Sequence, residues 1–133
     1  MEIPGHKAIV VGGASGMARS TAEMFVAKGG KVAIVDRPQS AGAEVAKLLG
    51  GPFFPCDVTD FVAAEAALRE AVGALGGVHF CVNTAGGGVA MRTLTKEGPH
   101  ALDAFRKVID LNLVASFNVA RIAAHCIDRK SVV

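Results

Sequence analysis

A parallel α/β sheet wound on both faces by helices is the fold this sequence predicts, and three observations support it. Short, almost continuously apolar runs recur at residues 7–12, 31–36 and 78–83, the pattern of strands buried on both sides. Helix-length segments lie between the apolar runs, at 16–29, 41–49 and 61–74, so strands and helices alternate as in βαβ units. Gly12, Gly13 and Gly16 stand between the first strand and the first helix, where backbone N–H groups can approach an anionic ligand and the helix dipole favours one.

Each element has local reasons. The helix over 16–29 sets Met17, Thr21, Met24 and Phe25 as its apolar positions, and Lys28, Gly29 and Gly30 stop it. After the second strand Pro38 and Gln39 turn the chain, Ser40 caps the helix over 41–49, and Gly50, Gly51 and Pro52 end it. Residues 53–57 form a third strand, weakened by Pro55, which lacks a ladder donor. Thr59 or Asp60 caps the helix over 61–74, which closes at Gly76 and Gly77. The fourth strand at 78–83 runs into a loop with Gly86, Gly87 and Gly88, then a polar stretch to Pro99, then one long helix over about 101–128. On that helix Leu102, Phe105, Val108, Ile109, Ser116, Val119, Ala120 and Ala123 align as an apolar stripe, with Asn112 inside it. Right-handed crossovers then give a doubly wound, Rossmann-like domain of about four strands, with its ligand site at their carboxyl ends.

Composition narrows the function classes. The chain has 133 residues, 51% of them hydrophobic and 20% charged, with a formal net charge of +2. That balance fits one folded domain and not a disordered one. Lysines and arginines are scattered, so neither a nucleic acid nor a membrane surface is expected as partner. Cys56, Cys81 and Cys126 show no CxxC or Cys/His spacing, which predicts neither a zinc site nor a disulfide framework and suits reduced thiols in the cytoplasm. The amino terminus does not read as a signal peptide, and no apolar run approaches the about 20 residues a spanning helix needs.

The candidate ligand residues fall at strand ends. Gly12, Ser15, Gly16 and Met17 make up the first turn; its spacing is neither GxGxxG nor GK[ST], and a tight turn without a ligand is the plain alternative. Asp36 ends the second strand, 20 residues after Gly16. A carboxylate there accepts from both ribose hydroxyls and repels a 2′-phosphate, favouring NAD(H) over NADP(H). Arg37 beside it can tolerate that phosphate if its guanidinium turns. Asp57 and Val58 close the third strand, where Asp57 either accepts from an adenine amino group or caps the next helix. Asn83, Ala85 and Gly86 close the fourth, as a ribose wall or simply a turn. Asn112, a polar group in an apolar stripe, needs partners: a structural hydrogen bond to the fourth strand, or a water at an active site.

Taken together these residues resemble the short-chain dehydrogenase/reductase family nearly end to end. Gly12-Gly13-Ala14-Ser15-Gly16-Met17-Ala18 resembles its TGxxxGxG turn, Asp36 its NAD-selecting acid, and Asp57 its adenine contact. Asn83-Thr84-Ala85-Gly86 resembles its NNAG motif, and Asn112 its helix asparagine. Val11, Ala18 and Thr84 depart from the pattern. The segment Gly98–Asn112 and the following Ser116-Phe117-Asn118-Val119 resemble the subgroup acting on 3-hydroxyacyl-CoA and hydroxysteroid substrates.

The resemblance implies an NAD(H)-dependent oxidoreductase acting on a small secondary alcohol or ketone, with Asn112 in a supporting catalytic role. It also implies a Tyr-x-x-x-Lys pair and a serine after a fifth strand. The chain contains no tyrosine, so residues 1–133 are expected to be the cofactor-binding domain ending before that segment, inactive by itself. Ser131 comes too early to be the serine, and His6, His79, His100 and His125 have no claim to replace the acid. The fourth strand is then expected at a sheet edge, with apolar surface around Phe105 to Phe117 exposed and self-association or a homo-oligomer following. A non-catalytic dinucleotide-binding module or partner subunit is the alternative; a methyltransferase is disfavoured, having no use for Asn83 to Gly86 or Asn112.

Overall fold

The computed structural model describes residues 2–128. Strands β1 (Lys7–Val11), β2 (Lys31–Asp36), β3 (Phe53–Pro55) and β4 (Phe80–Asn83) form one parallel sheet in the order β3-β2-β1-β4. Helices α1 (Gly16–Ala27) and α2 (Gly42–Leu48) cover one face, and α3 (Phe61–Leu75) and α5 (Ala115–Asp128) the other. The expected Rossmann-like domain is what forms.

Because β1 and β2 are apolar at every interior position, alternate side chains supply two cores. Ala8, Val10, Val32 and Ile34 pack under α1 and α2. Ile9, Val11, Ala33 and Val35 pack under α3 and α5 with Leu68, Val119 and Ile122. Each valine, leucine or isoleucine among them contributes roughly 1.5–3 kcal/mol on burial. Register aligns Val11 with Val35 and Asn83, and Asp36 with Pro55, so all four strands finish on one rim.

The helix α1 presents part of the face expected: Phe25 packs against the core and Thr21 is half-buried, but the two methionines turn outward. Met17 and Met24 are 77% and 59% exposed, while Ala18 and Ala22 are fully buried against the sheet. Alanine lets a helix axis come closer to a sheet than methionine does, and closeness decides the face. Ser40 accepts from the Gly42 N–H (3.2 Å), yet α2 begins at Gly42, one residue later than expected. Asp60, not Asp57, caps α3, accepting from the Ala63 N–H at 3.0 Å. The third strand stops at Pro55, on the outer strand where a missing donor does least harm.

At the opposite end of the sheet His79 extends the β1–β4 pairing. Its N–H donates to the Lys7 carbonyl (2.9 Å) and its Nδ1 accepts from the Lys7 N–H (3.0 Å). The His6 ring stands edge-on to the His79 ring at 4.8 Å.

The region after β4 departs most from expectation. The polar stretch holds a short antiparallel hairpin, β5 (Leu94–Thr95) and β6 (Gly98–Pro99), in which Thr95 Oγ1 donates to the Gly98 carbonyl at 3.1 Å. The long helix expected over about 101–128 runs without a gap from Leu102 to Asp128, but between α4 (Leu102–Ile109) and α5 it takes a π-helical turn over Asp110–Val114. The expected apolar stripe therefore holds only in α5, where Val119 and Ala123 are buried. Helix α4 buries no residue, and Leu102, Phe105, Leu113 and Phe117 are exposed. The two sides of the π turn thus differ in packing: α5 is buried against the sheet and α4 is not. β4 lies at an edge of the sheet among the described residues, as expected. Ser131 and a fifth strand opening at 130–133 lie outside the described residues.

Candidate functional site

A cleft of about 860 Å³ opens along the rim where the four strands end, within the range of small-molecule sites. Of the residues singled out from the sequence, it brings together Gly12, Ser15, Gly16, Met17, Asp36, Asp57, Val58, Ala85 and Gly86. Asn83 and Asn112 are outside the lining and hold it in place.

The first wall is the glycine turn. Gly12 has φ +80°, and a Cβ on it would come to 3.0 Å from the Ala85 backbone nitrogen, so the β1 and β4 loops touch only because glycine stands there. Ser15 precedes α1 but its side chain makes no capping bond, and the first turn carries no acid. The leading N–H groups of α1 thus have no side-chain acceptor, an arrangement suited to an anion.

The second wall is acidic. Asp36 Oδ2 accepts from the Ala14 N–H (2.9 Å) and Oδ1 from the Arg37 N–H (2.7 Å), so the carboxylate is pinned against the glycine turn. Asp57 Oδ1 accepts from both the N–H (2.9 Å) and the hydroxyl (2.7 Å) of Thr59. The Thr59 hydroxyl first, then its N–H, and more weakly the Arg37 guanidinium hold the Asp57 carboxyl below the usual carboxylate range. Cys56 beside it is buried, and burial with the charges of Asp57 and Asp60 pushes its thiol up, away from nucleophilic use.

The far wall comes from β4 and the helix that follows it. Asn83 Oδ1 accepts from the Ala85 N–H (3.1 Å) and Nδ2 reaches Ser116 Oγ at 3.4 Å. Asn112, in the π turn, is exposed and not part of a buried stripe; its amide instead clamps the loop after β4. Nδ2 donates to the carbonyls of Gly87 (2.6 Å) and Val108 (2.8 Å), and Oδ1 accepts from the Gly87 N–H at 3.2 Å. A Cβ on Gly86 would sit 2.8 Å from Asn112 Oδ1, so glycine is what allows the clamp. The structural hydrogen bond expected of Asn112 thus exists, with the loop and not the strand as partner.

Sequence reasoning missed Lys107, Val108, Asp110 and Leu111, which close the cleft from α4 and the π turn. No sequence signal marks them, because the π turn that holds Asp110 and Leu111 leaves no period of its own. None of the four histidines lines the cleft. Among the described residues no three His, Cys, Asp or Glu side chains group as a metal site, and no helix is long and apolar enough to cross a membrane.

A doubly wound sheet with a glycine turn, a pinned acid after β2 and an open cleft over the strand ends defines a Rossmann-like domain. The short chain dehydrogenase family model matches residues 6–132. The human 3-hydroxyacyl-CoA dehydrogenase type-2 is 41% identical over 126 residues, 92% of this chain and 48% of the human protein. The Drosophila melanogaster protein of the same name is 42% identical over 120 residues, 87% of this chain and 47% of its own. Among solved structures, a short-chain type dehydrogenase/reductase from Mycobacterium ulcerans superposes with TM-score 0.86 at 27% identity, covering 98% of this chain and 49% of the other. The NADPH-dependent 3-quinuclidinone reductase from Rhodotorula rubra gives 0.82 at 26%, covering 97% and 50%. The chain belongs to the short-chain dehydrogenase family. It spans about half the length of the curated relatives it matches.

Proposed function

We propose that this chain forms the NAD(H)-binding part of an oxidoreductase that interconverts a secondary alcohol and a ketone, with a 3-hydroxyacyl-CoA or a hydroxysteroid as substrate. The observation that carries the reading is the carboxylate of Asp36, fixed at 2.9 Å on the Ala14 N–H inside the glycine turn. So placed, it presents negative charge where a ribose diol is welcome and a 2′-phosphate is not. The donor set fits a dinucleotide. Gly12, Ser15, Gly16 and Met17 would meet the pyrophosphate at the α1 terminus. Asp36 would hold the adenosine ribose, Asp57 and Val58 the adenine, and Ala85 and Gly86 the wall behind it.

When bound, the nicotinamide supplies or accepts the hydride. Asn83 keeps the end of β4 in register with α5 through Ser116, and Asn112 keeps the Gly87 backbone from closing over the cleft. Hydride transfer to a carbonyl also needs a proton donor near the reacting carbon. The sequence holds no tyrosine, and none of the histidines among the described residues lines the cleft, so the donor that the family resemblance implies is not one of the cleft residues named above. A non-catalytic dinucleotide-binding module or partner subunit is the alternative reading. A cytoplasmic location and self-association through the exposed apolar residues of α4 and α5 belong to the same proposal.

Calorimetry decides the cofactor. NADH is expected to bind the chain, and Asp36→Ala to weaken it about tenfold, the loss of a charge-assisted pair of hydrogen bonds. A chain that takes up no NADH sinks the reading. NADH oxidation with acetoacetyl-CoA is expected to be undetectable for the 133-residue chain; turnover would show that another residue supplies the proton.

A further inference from the structure

At the end of the sheet away from the cleft, a side chain completes the ladder between β1 and β4. The backbone of Lys7 turns both of its polar groups toward His79. Its carbonyl accepts from the His79 N–H at 2.9 Å, and its N–H donates to His79 Nδ1 at 3.0 Å. In a regular parallel ladder a carbonyl of the neighbouring strand takes such an N–H; here an imidazole nitrogen stands in its place. The two acceptors differ chemically. A carbonyl accepts at any pH, whereas Nδ1 accepts only while it carries no proton. The Lys7 N–H therefore selects the neutral His79 ring with its proton on Nε2.

The surroundings do not favour a second proton. His6 stands edge-on to His79 at 4.8 Å, and its own Nδ1 is buried without a hydrogen-bond partner among the described residues. The Lys7 ammonium lies on the Gly76 carbonyl at 3.0 Å, in the loop that leads into β4, and Lys31 is level with Lys7 on β2. From α1 comes the uncharged Phe25 ring against Phe80, and α5 brings the Cys126 thiol into the cluster that holds Cys81. Among these neighbours the permanent charges are cationic. Nor is β4 held by much else: it pairs with β1 from Phe80 to Asn83 and lies at a sheet edge among the described residues.

We infer that His79 is a pH-sensitive lock on the entry of β4. The neutral ring closes the rung against Lys7; a second proton, taken from solvent at Nδ1, sets donor against donor and opens it. Imidazole titrates near pH 6.5 when unperturbed. Because the proton opposes the bond, the rung is complete above that value and is lost as pH falls. The lock lies at the opposite end of the sheet from the cleft and does not depend on which nucleotide the cleft takes.

NMR on the 133-residue chain is the test. At pH 7.5 the His79 ring is expected to show a bare Nδ1 and a protonated Nε2, with the Lys7 amide protected from hydrogen exchange. Between pH 7.5 and 5.5 the ring gains its proton. Lys7 protection, corrected for the intrinsic pH dependence of exchange, then falls about five- to tenfold, the worth of one hydrogen bond. The amides of Ile9 and Val10, deeper in β1, keep theirs. His79→Asn offers a carbonyl oxygen that does not titrate, and it retains the protection at both pH values; His79→Leu loses it at both. His6→Phe leaves the pH response as it was. A proton on Nδ1 at pH 7.5, a ring still neutral at pH 5.5, or protection retained in His79→Leu overturns the inference. So does an equal loss at Ile9 and Val10, or a pH response that survives in His79→Asn. If the His79 variants fail to fold, a response abolished by His6→Phe overturns it equally, and the tautomer of the unaltered chain needs no variant.

Discussion

Two stretches of this chain are held in place by different physics. From β1 through α3 the central strands are covered on both faces, one by α1 and α2 and the other by α3 together with the distant α5, and the buried set is almost purely aliphatic. From Gly86 to Val114 nothing is buried: α4 presents Leu102 and Phe105 to solvent, and the order of the loop comes from the amide of Asn112. The first stretch is covered on both faces. The second has the sequence of a covered element without the surface that covers it, and a few polar bonds substitute. The same cleft takes one wall from each, so its rigidity is expected to be unequal across its width.

Variants can sharpen that contrast. The largest effect is expected in the aliphatic layer: Ile34→Ala, at a fully buried site, should cost about 2–5 kcal/mol in denaturant unfolding. A loss under about 1 kcal/mol there would mean that the layer is far looser than its burial suggests. Next comes the clamp. Asn112→Ala leaves the Gly87 N–H and carbonyl without their partner, and should cost about 1–2 kcal/mol. Faster hydrogen exchange at the Gly87 amide, with β1 and β2 unchanged, is the local signature to look for. Asp60→Ala should cost about 1 kcal/mol through the lost α3 cap, whereas Asp57→Ala should leave the helix boundary as it is. Phe105→Ser, at 55% exposure, should change stability by less than about 0.5 kcal/mol. What it should reduce is light scattering at high concentration, and unchanged scattering would locate self-association elsewhere.

The thiols and acids add pH expectations. Burial first, and the neighbouring Cys126 thiol second, push Cys81 up to about 11. Its alkylation at pH 8 should therefore be slow and should accelerate only as pH climbs toward that value. Asp57 runs the other way. Its folded carboxyl lies below the ordinary value of 3.8, so the Asp57–Thr59 turn is stabilising above that pH and lost as pH falls through the folded value. Nucleotide affinity should accordingly stay flat through pH 3.8 and drop only as pH falls through the lower folded value.

How much of this was legible in the sequence depends on distance along the chain. Asp36 and the glycine turn were legible because strand, turn and acid lie within one βαβ unit, where spacing fixes geometry. The face of α1 was not, because Met17 and Met24 outweigh Ala18 and Ala22 in any count of hydrophobicity while the sheet selects for smallness. Asp57 and Asp60 both suit a cap, and only the backbone decides between them. The π turn was hidden altogether: it depends on a clamp between Asn112 and Gly87, 25 positions apart. The β5–β6 hairpin has two residues per strand, too short to leave a period.

The π turn also sets a rule for insertions and deletions. Each residue of a regular helix advances the side chains by about 100°. A π turn takes one extra residue into a single wider turn, so Leu111 keeps the cleft while Ala115 and Val119 keep the sheet. A residue added to a regular part of the same helix has no such outlet and would turn one of the two faces away. Substitutions inside the π turn should be tolerated more readily than any change in its length.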